Sequence, residues 1–114
     1  MNAQDTNAVE IDIATRLVDQ ALSLGYFVTV YDEEGLAQPA TRDRASILDV
    51  MHECDTNTLD FSQREGSALM MGRDTVVGSV LIIWGEGETI ITDYTASPVI
   101  EALVDHAMAN TSYA

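Results

Sequence analysis

The chain contains no lysine and only one cysteine, Cys54, among its 114 residues. Without an ε-amine it cannot form a Schiff base or a complete phosphate-binding loop of the GxxxxGK[ST] type. A lone cysteine excludes an internal disulfide and agrees with a reducing cytoplasm. No apolar run approaches the roughly 20 residues of a membrane helix, and no export signal is visible in the first residues of the sequence. We therefore expect a cytoplasmic protein with no membrane contact.

Basic residues are also scarce. Five arginines face 19 acidic residues, which gives a formal net charge of −14. Such a chain should repel nucleic acid and anionic membranes, and should attract a basic partner or a basic groove on a partner. Solubility, or adaptation to high salt, accounts for the same composition, so the charge alone leaves the function open.

The first half of the chain alternates between periodic segments and turn signals. Residues 8 to 24 form an amphipathic pattern that predicts a helix, capped by Asn7 with Glu10 and ended by Gly25. A strand is predicted over 26 to 31, and "LAQPA" could return beside it at a sheet edge because Pro39 cannot donate to a ladder. The buried stripe of the first helix is predicted to contain Val9, Ile13, Leu17, Ala21 and Leu24.

A second helix is predicted over residues 42 to 53, with Thr41 as its N-cap. "NTLDFSQ" alternates as a half-buried strand, whereas residues 64 to 75 fit either a short strand or one helical turn. Residues 76 to 84 are apolar on both faces toward their end, which predicts a central strand, and residues 88 to 94 should pair with it. The buried side of the second helix is predicted to carry Ala45, Ile47, Leu48 and Met51.

A last helix should open with Ser97 as N-cap and Pro98 in its first position. Its buried stripe is predicted to contain Val99, Ile100, Leu103, Val104 and Ala107. Together the elements predict one α+β domain over residues 1–114, with ragged ends at about 1–6 and 110–114. It should have a mostly antiparallel sheet of four to five strands and about three helices packed on one face. A homodimer through a sheet edge is compatible with this outline.

No residue cluster points to catalysis, a cofactor or a metal. The acidic turns at residues 32–34 and 86–88 lack the ligand spacing of a calcium loop, so both are interpreted as solvated turns. His52, Cys54 and His106 are too few for a structural zinc site. GxSxG, HExxH and Rossmann glycine patterns are absent as well. We predict a protein that is not an enzyme and needs no cofactor.

Two segments, "GYFVTVYDEEG" and "VVGSVLIIWGEGETIITDYT", and the closing "IEAL" resemble a family of small acidic accessory proteins of bacteriophages. That family shows a GY..SV.D start and a VG..LVWGNGE..I.DYT hairpin. The similarity covers roughly residues 17 to 105, and Gly78 through Thr95 is its most specific part. The resemblance implies a phage origin, action in the host cytoplasm and no catalytic residues.

Small acidic phage proteins often bind and block a host defence component, sometimes by placing carboxylates where DNA phosphates would sit. We therefore expect a non-enzymatic inhibitor of a host defence system, such as a CRISPR effector or a restriction enzyme. The expected partner is a basic host protein or the nucleic-acid-binding groove of a defence complex, and not nucleic acid itself. The candidate acidic surface comprises Asp12, Asp19, Asp32, Glu33, Glu34, Glu86 and Glu88.

Two alternatives belong to other classes. The chain could bind or sequester a small nucleotide signal, for which Arg42 and Arg44 at the start of a helix are the best-placed cations. It could also be a salt-adapted accessory domain with no special chemistry.

Overall fold

The structure, a computed structural model, describes residues 3–53, 55–65 and 73–109. These residues form three α-helices, five β-strands and one turn of 3₁₀-helix at Gly87–Thr89. In chain order, the helices and strands are α1 (Ala3–Ser23), β1 (Phe27–Asp32), β2 (Gly35–Thr41), α2 (Arg44–His52), β3 (Thr56–Glu65), β4 (Arg73–Ile83), β5 (Ile91–Tyr94) and α3 (Pro98–Ala109).

The strands form one antiparallel sheet in the order β2-β1-β3-β4-β5. β4 has a neighbour on each side, which confirms its predicted internal position. β2 lies at one edge, and Pro39 there is exposed, as expected for a residue that cannot donate to a ladder. The α+β class and the antiparallel sheet with its three helices are confirmed.

The hydrophobic core lies between the helices and one face of the sheet. Alternate residues of β1, β3 and β4 point toward the helices, and those in the middle of the sheet are fully buried: Val28, Val30, Leu59, Phe61, Val80 and Ile82. Burying one such side chain contributes about 1.5–3 kcal/mol. The largest contributors are Phe61, Leu59, Ile82 and Val28 from the strands, with Ile13, Leu17, Ile47, Met51, Ile100 and Leu103 from the helices.

The predicted helix faces are correct in their centres and wrong at their margins. Val99 is 39% exposed and Leu24 is 51% exposed, because Val99 lies in the first turn of α3 and Leu24 lies beyond the last residue of α1. Ala45 is exposed as well, so α2 fully buries Ile47 and Met51, while Leu48 packs half-buried against the core.

Two helix starts differ from their predictions and one agrees. α1 begins at Ala3, earlier than the periodicity indicated, so residues 3–6 are helical rather than ragged. The N-cap of α2 is Asp43 and not Thr41, whose hydroxyl instead accepts the backbone N–H of Asp43 at 3.1 Å. Ser97 caps α3 as predicted, because its hydroxyl accepts the N–H of Ile100 at 3.3 Å.

Part of the stretch 64–75, for which the sequence allowed either a short strand or a helical turn, belongs to the β3–β4 hairpin. Residues 64 and 65 pair with residues 74 and 73. The "SALMM" segment, the C-terminal end at 110–114 and Cys54 lie outside the described residues.

Candidate partner-binding surface

The topology gathers acidic residues at one end of the sheet, which we call the acidic end. β1 and β4 finish there, and β3 begins there, because β3 runs antiparallel to both neighbours. Three connections therefore meet at this end: the β1–β2 turn, the α2–β3 link and the β4–β5 link. The described side chains of the acidic end are Asp32, Glu33, Glu34, Glu53, Asp55 and Glu86; the backbone of Glu88 lies in the same link.

Five of the seven predicted acids thus come together. Glu33, Glu34 and Glu86 are exposed, and Asp32 orders its turn by accepting the N–H of Glu34 at 2.7 Å. Sequence reasoning missed Glu53 and Asp55, which reach this end only because α2 returns the chain there. None of the described residues in these three connections is an arginine, and His52, the last residue of α2, lies next to them in the chain.

The remaining two predicted acids, Asp12 and Asp19, lie on α1 and are ion-paired. Asp12 lies 3.0 Å from the guanidinium of Arg16, one helical turn along. Asp19 binds Nε of Arg44 at 2.5 Å. Both carboxylates are therefore partly neutralised within the protein and are weaker candidates for binding a partner.

The two arginines proposed for a nucleotide are occupied by the protein itself. The bond to Asp19 holds the pKa of the Arg44 guanidinium above its ordinary value. Arg42 donates from Nη2 to the carbonyl of Leu22 at 2.9 Å, at the C-terminal end of α1. Arg42 and Arg44 lie at the end of β2 opposite the acidic end, so these contacts join α1 to α2 and leave fewer donors for a phosphate.

The glycine-rich link after β4 is held by a buried carboxylate. Glu10 of α1 is only 3% exposed, and its two oxygens accept the backbone N–H groups of Gly85 at 2.8 Å and Gly87 at 3.0 Å. Both glycines have positive φ, 97° and 63°, which residues with a side chain rarely adopt. Successive N–H groups in such a conformation form a concavity that binds anions, and Glu10 fills it.

The sequence predicted Glu10 as the partner of an Asn7 cap, which is wrong because α1 begins at Ala3 and Asn7 lies inside the helix. The anchoring role of Glu10 was not predicted. The residue lies three and four positions before Ile13 and Ala14, on the buried stripe of α1. An acid on an apolar stripe, in a chain with a Gly-x-Gly turn, was the signal available. The link is consequently more than a solvated turn, because it is anchored to the first helix.

An aromatic cluster lies beneath the acidic end. The indole Nε1 of Trp84 donates to Oδ1 of the fully buried Asn57 at 2.8 Å, and the Trp84 backbone N–H donates to the carbonyl of Asp55 at 2.9 Å. The His52 ring meets the indole edge-on, with centroids 5.4 Å apart. These contacts connect the α2–β3 link to the β4–β5 link at the acidic end.

The sheet face opposite the helices, which we call the open face, is not covered by any helix of the described chain. The ladder partners share this face in rows: Leu36, Tyr31, Thr58, Leu81 and Asp93 form one row across the sheet, Thr29, Asp60 and Ser79 the next, and Phe27, Ser62 and Val76 a third. A groove of about 300 Å³ lies near the β5 edge, lined by Thr58, Ser79, Leu81, Asp93, Tyr94 and Thr95.

Within residues 3–53, 55–65 and 73–109, no group of three or more His, Cys, Asp or Glu side chains could hold a metal ion. None of the helices in those ranges is long and apolar enough to cross a bilayer.

Comparison of the chain with protein-family models, with curated proteins and with solved structures finds no match.

Proposed function

We propose that the protein is a non-enzymatic binder that recognises a basic surface on a partner protein through its acidic end. The observation that carries this proposal is the separation of charge along the sheet. Six described acids occupy the acidic end without an arginine, whereas at the opposite end acids and arginines are mixed: Arg42, Arg44 and the backbone positions of Arg64 and Arg73 lie there with Asp19, Asp43 and the backbone positions of Glu65 and Asp74.

Acids also lie on the exposed sides of the helices, at Asp49, Glu101 and Asp105. General solubility or salt adaptation would explain those acids, but it gives no reason for the arginines to be kept away from one end. A surface of one sign steers an oppositely charged partner and raises the association rate. The charge separation therefore favours a binding surface over a merely solubilising one.

The resemblance to phage accessory proteins supports a specific kind of partner. In that setting the partner is the nucleic-acid-binding groove of a host defence complex, a CRISPR effector or a restriction enzyme, and the acidic end occupies the path of the DNA backbone in the host cytoplasm. Carboxylates placed along such a groove would compete with phosphates for the same arginines and lysines.

The proposal is tested with two variants that remove the same charge from different places. The first, Glu33→Gln/Glu34→Gln/Glu86→Gln, neutralises three acids of the acidic end. The second, Asp49→Asn/Glu101→Gln/Asp105→Asn, neutralises three acids of the helical side. Each raises the formal net charge from −14 to −11, so any difference between them reports position and not total charge.

Tagged wild-type protein and both variants are used to capture partners from host lysate at low salt and at about 0.3 M salt, where charges are screened beyond several ångströms. We expect a basic nucleic-acid enzyme to be retained at low salt by the wild type and by the helical-side variant, and to be lost from the acidic-end variant. Capture that is indifferent to salt, or equal loss from the two variants, would contradict the proposal.

A further inference from the structure

The open face combines apolar and acidic side chains. Leu36 is 60% exposed in the first row of this face and Val76 is 55% exposed in the third, while Tyr31 and Leu81 in the row of Leu36 are half-buried. Side chains of this kind on a sheet face that no described helix covers form a surface suited to another protein. Asp93 is exposed in the same row as Leu81, so the surface is amphipathic and not simply apolar.

The groove on this face has polar groups positioned around an apolar floor. Leu81 lies between Thr58 and Asp93 in the ladder. Asp93 Oδ1 accepts the N–H of Tyr94 at 2.9 Å, which orients the carboxylate. The hydroxyl of Ser79 donates to Asp60 at 2.6 Å, so its lone pairs remain available as acceptors.

The charge of the face determines which occupant fits. Asp60 and Asp93 lie on it, and none of its described side chains is basic. A second copy of the chain would bring these carboxylates, and two net charges of −14, toward each other. A cationic segment would instead be attracted, and its apolar residues could cover Leu36 and Val76.

We propose that the open face is a second docking surface for the same basic partner; this inference rests on the proposed function. The open face binds a segment of that partner that combines arginine or lysine with apolar side chains. One cation of that segment occupies the groove. Its aliphatic stem lies along Leu81 and its charged group meets Asp93, in the manner of long basic side chains on amphipathic surfaces.

Two synthetic peptides of equal length and equal charge serve as probes. One alternates arginine with leucine, and the other alternates arginine with serine. Affinity is measured by isothermal titration at low salt, and the contact surface is mapped by amide chemical shifts. We expect the arginine–leucine peptide to bind about tenfold more tightly, which is the effect of burying about one leucine, and to shift amides of β3, β4 and β5.

Three variants locate the effect. Leu36→Ser/Val76→Ser should remove the preference for the leucine peptide. Asp93→Asn should weaken both peptides several-fold, while its amide oxygen still accepts the Tyr94 N–H. Leu24→Ser is the matched control, because Leu24 is 51% exposed but follows α1 and lies off the open face; it should leave both affinities unchanged.

Equal affinity for the two peptides, with shifts confined to the acidic end, would overturn this inference and leave the proposed function standing. No binding of either peptide at low salt would contradict the proposed function as well. Sedimentation of the wild type at several concentrations tests for a dimer. A dimer that Leu36→Ser/Val76→Ser dissociates would show that a second copy occupies the open face, and would overturn the inference.

Discussion

The carboxylate of Glu10 and the backbone N–H of Gly85 are joined by a 2.8 Å hydrogen bond across 75 positions of sequence. The other oxygen of the same carboxylate binds Gly87 at 3.0 Å. One buried side chain of α1 thereby determines the position of the link that carries Glu86 to the acidic end. This contact connects the stability of the fold to the geometry of the proposed binding surface.

Replacing Glu10 by Gln should lower the free energy of unfolding by about 2–3 kcal/mol. The amide keeps one acceptor but directs an NH₂ group at a backbone N–H, and hydrogen bonds to a charged acceptor contribute more than neutral ones. Urea denaturation followed by circular dichroism measures the change. Glu101→Gln, the same substitution at an exposed position of α3, should change stability by less than about 0.5 kcal/mol. Equal effects of the two variants would refute the anchoring role of Glu10.

Gly78→Ala should destabilise the protein by about 1–3 kcal/mol through overpacking. A Cβ at Gly78 would overlap Cγ1 of Ile100 and lie 2.7 Å from its Cδ1. The same glycine substitution made in an Ile100→Ala background should cost much less, because the overlapping atoms are gone. A double-mutant cycle by thermal or urea unfolding gives the coupling energy between Gly78→Ala and Ile100→Ala. Additive effects would show that the contact with α3 does not limit the size of the side chain at position 78.

Trp84→Phe should lower stability by about 1–3 kcal/mol, because it leaves the amide of Asn57 buried without its donor. The Nδ2 group of Asn57 has no partner among the described residues either. The double variant Trp84→Phe/Asn57→Val replaces both polar groups. Its loss in the free energy of unfolding should be smaller than the sum of the losses of the two single variants. Because Trp84 is the only tryptophan, far-ultraviolet circular dichroism is the suitable probe.

The carboxyl group of Asp43 should titrate below its ordinary pKa of 3.8, because the hydroxyl of Ser46 donates to it at 2.8 Å. A lowered pKa in the folded state adds stability that is present above the unfolded value and is lost as pH falls through the folded value. Ser46→Ala should move the Asp43 pKa upward in a carboxyl NMR titration. Ser23→Ala should leave the Asp43 pKa in place, because the hydroxyl of Ser23 donates to Gln20 and not to Asp43.

Local patterns accounted for the elements, whereas contacts distant in sequence were missed. The alternation of β1 and the Ser97-Pro98 start of α3 are encoded within a few residues, so both were predictable. Asp43 displaced Thr41 as a cap because β2 continues through Thr41, and the extent of a strand depends on its neighbour. The assembly of the acidic end from three connections likewise required the strand order, which the sequence pattern leaves open.

The ladder between β3 and β4 is longer than the sheet around it. Gln63 and Thr75 pair beyond Ser62, the last residue of β3 that pairs with β1, and β5 reaches no further along β4 than Val80. This outer part is a ribbon of two strands with no described strand on either side. Two-stranded ribbons are only marginally stable in water. Amide hydrogens of Gln63 and Thr75 should therefore exchange with solvent faster than those of Leu59 and Val80, and the molecule should open first at the end of the sheet opposite the acidic end.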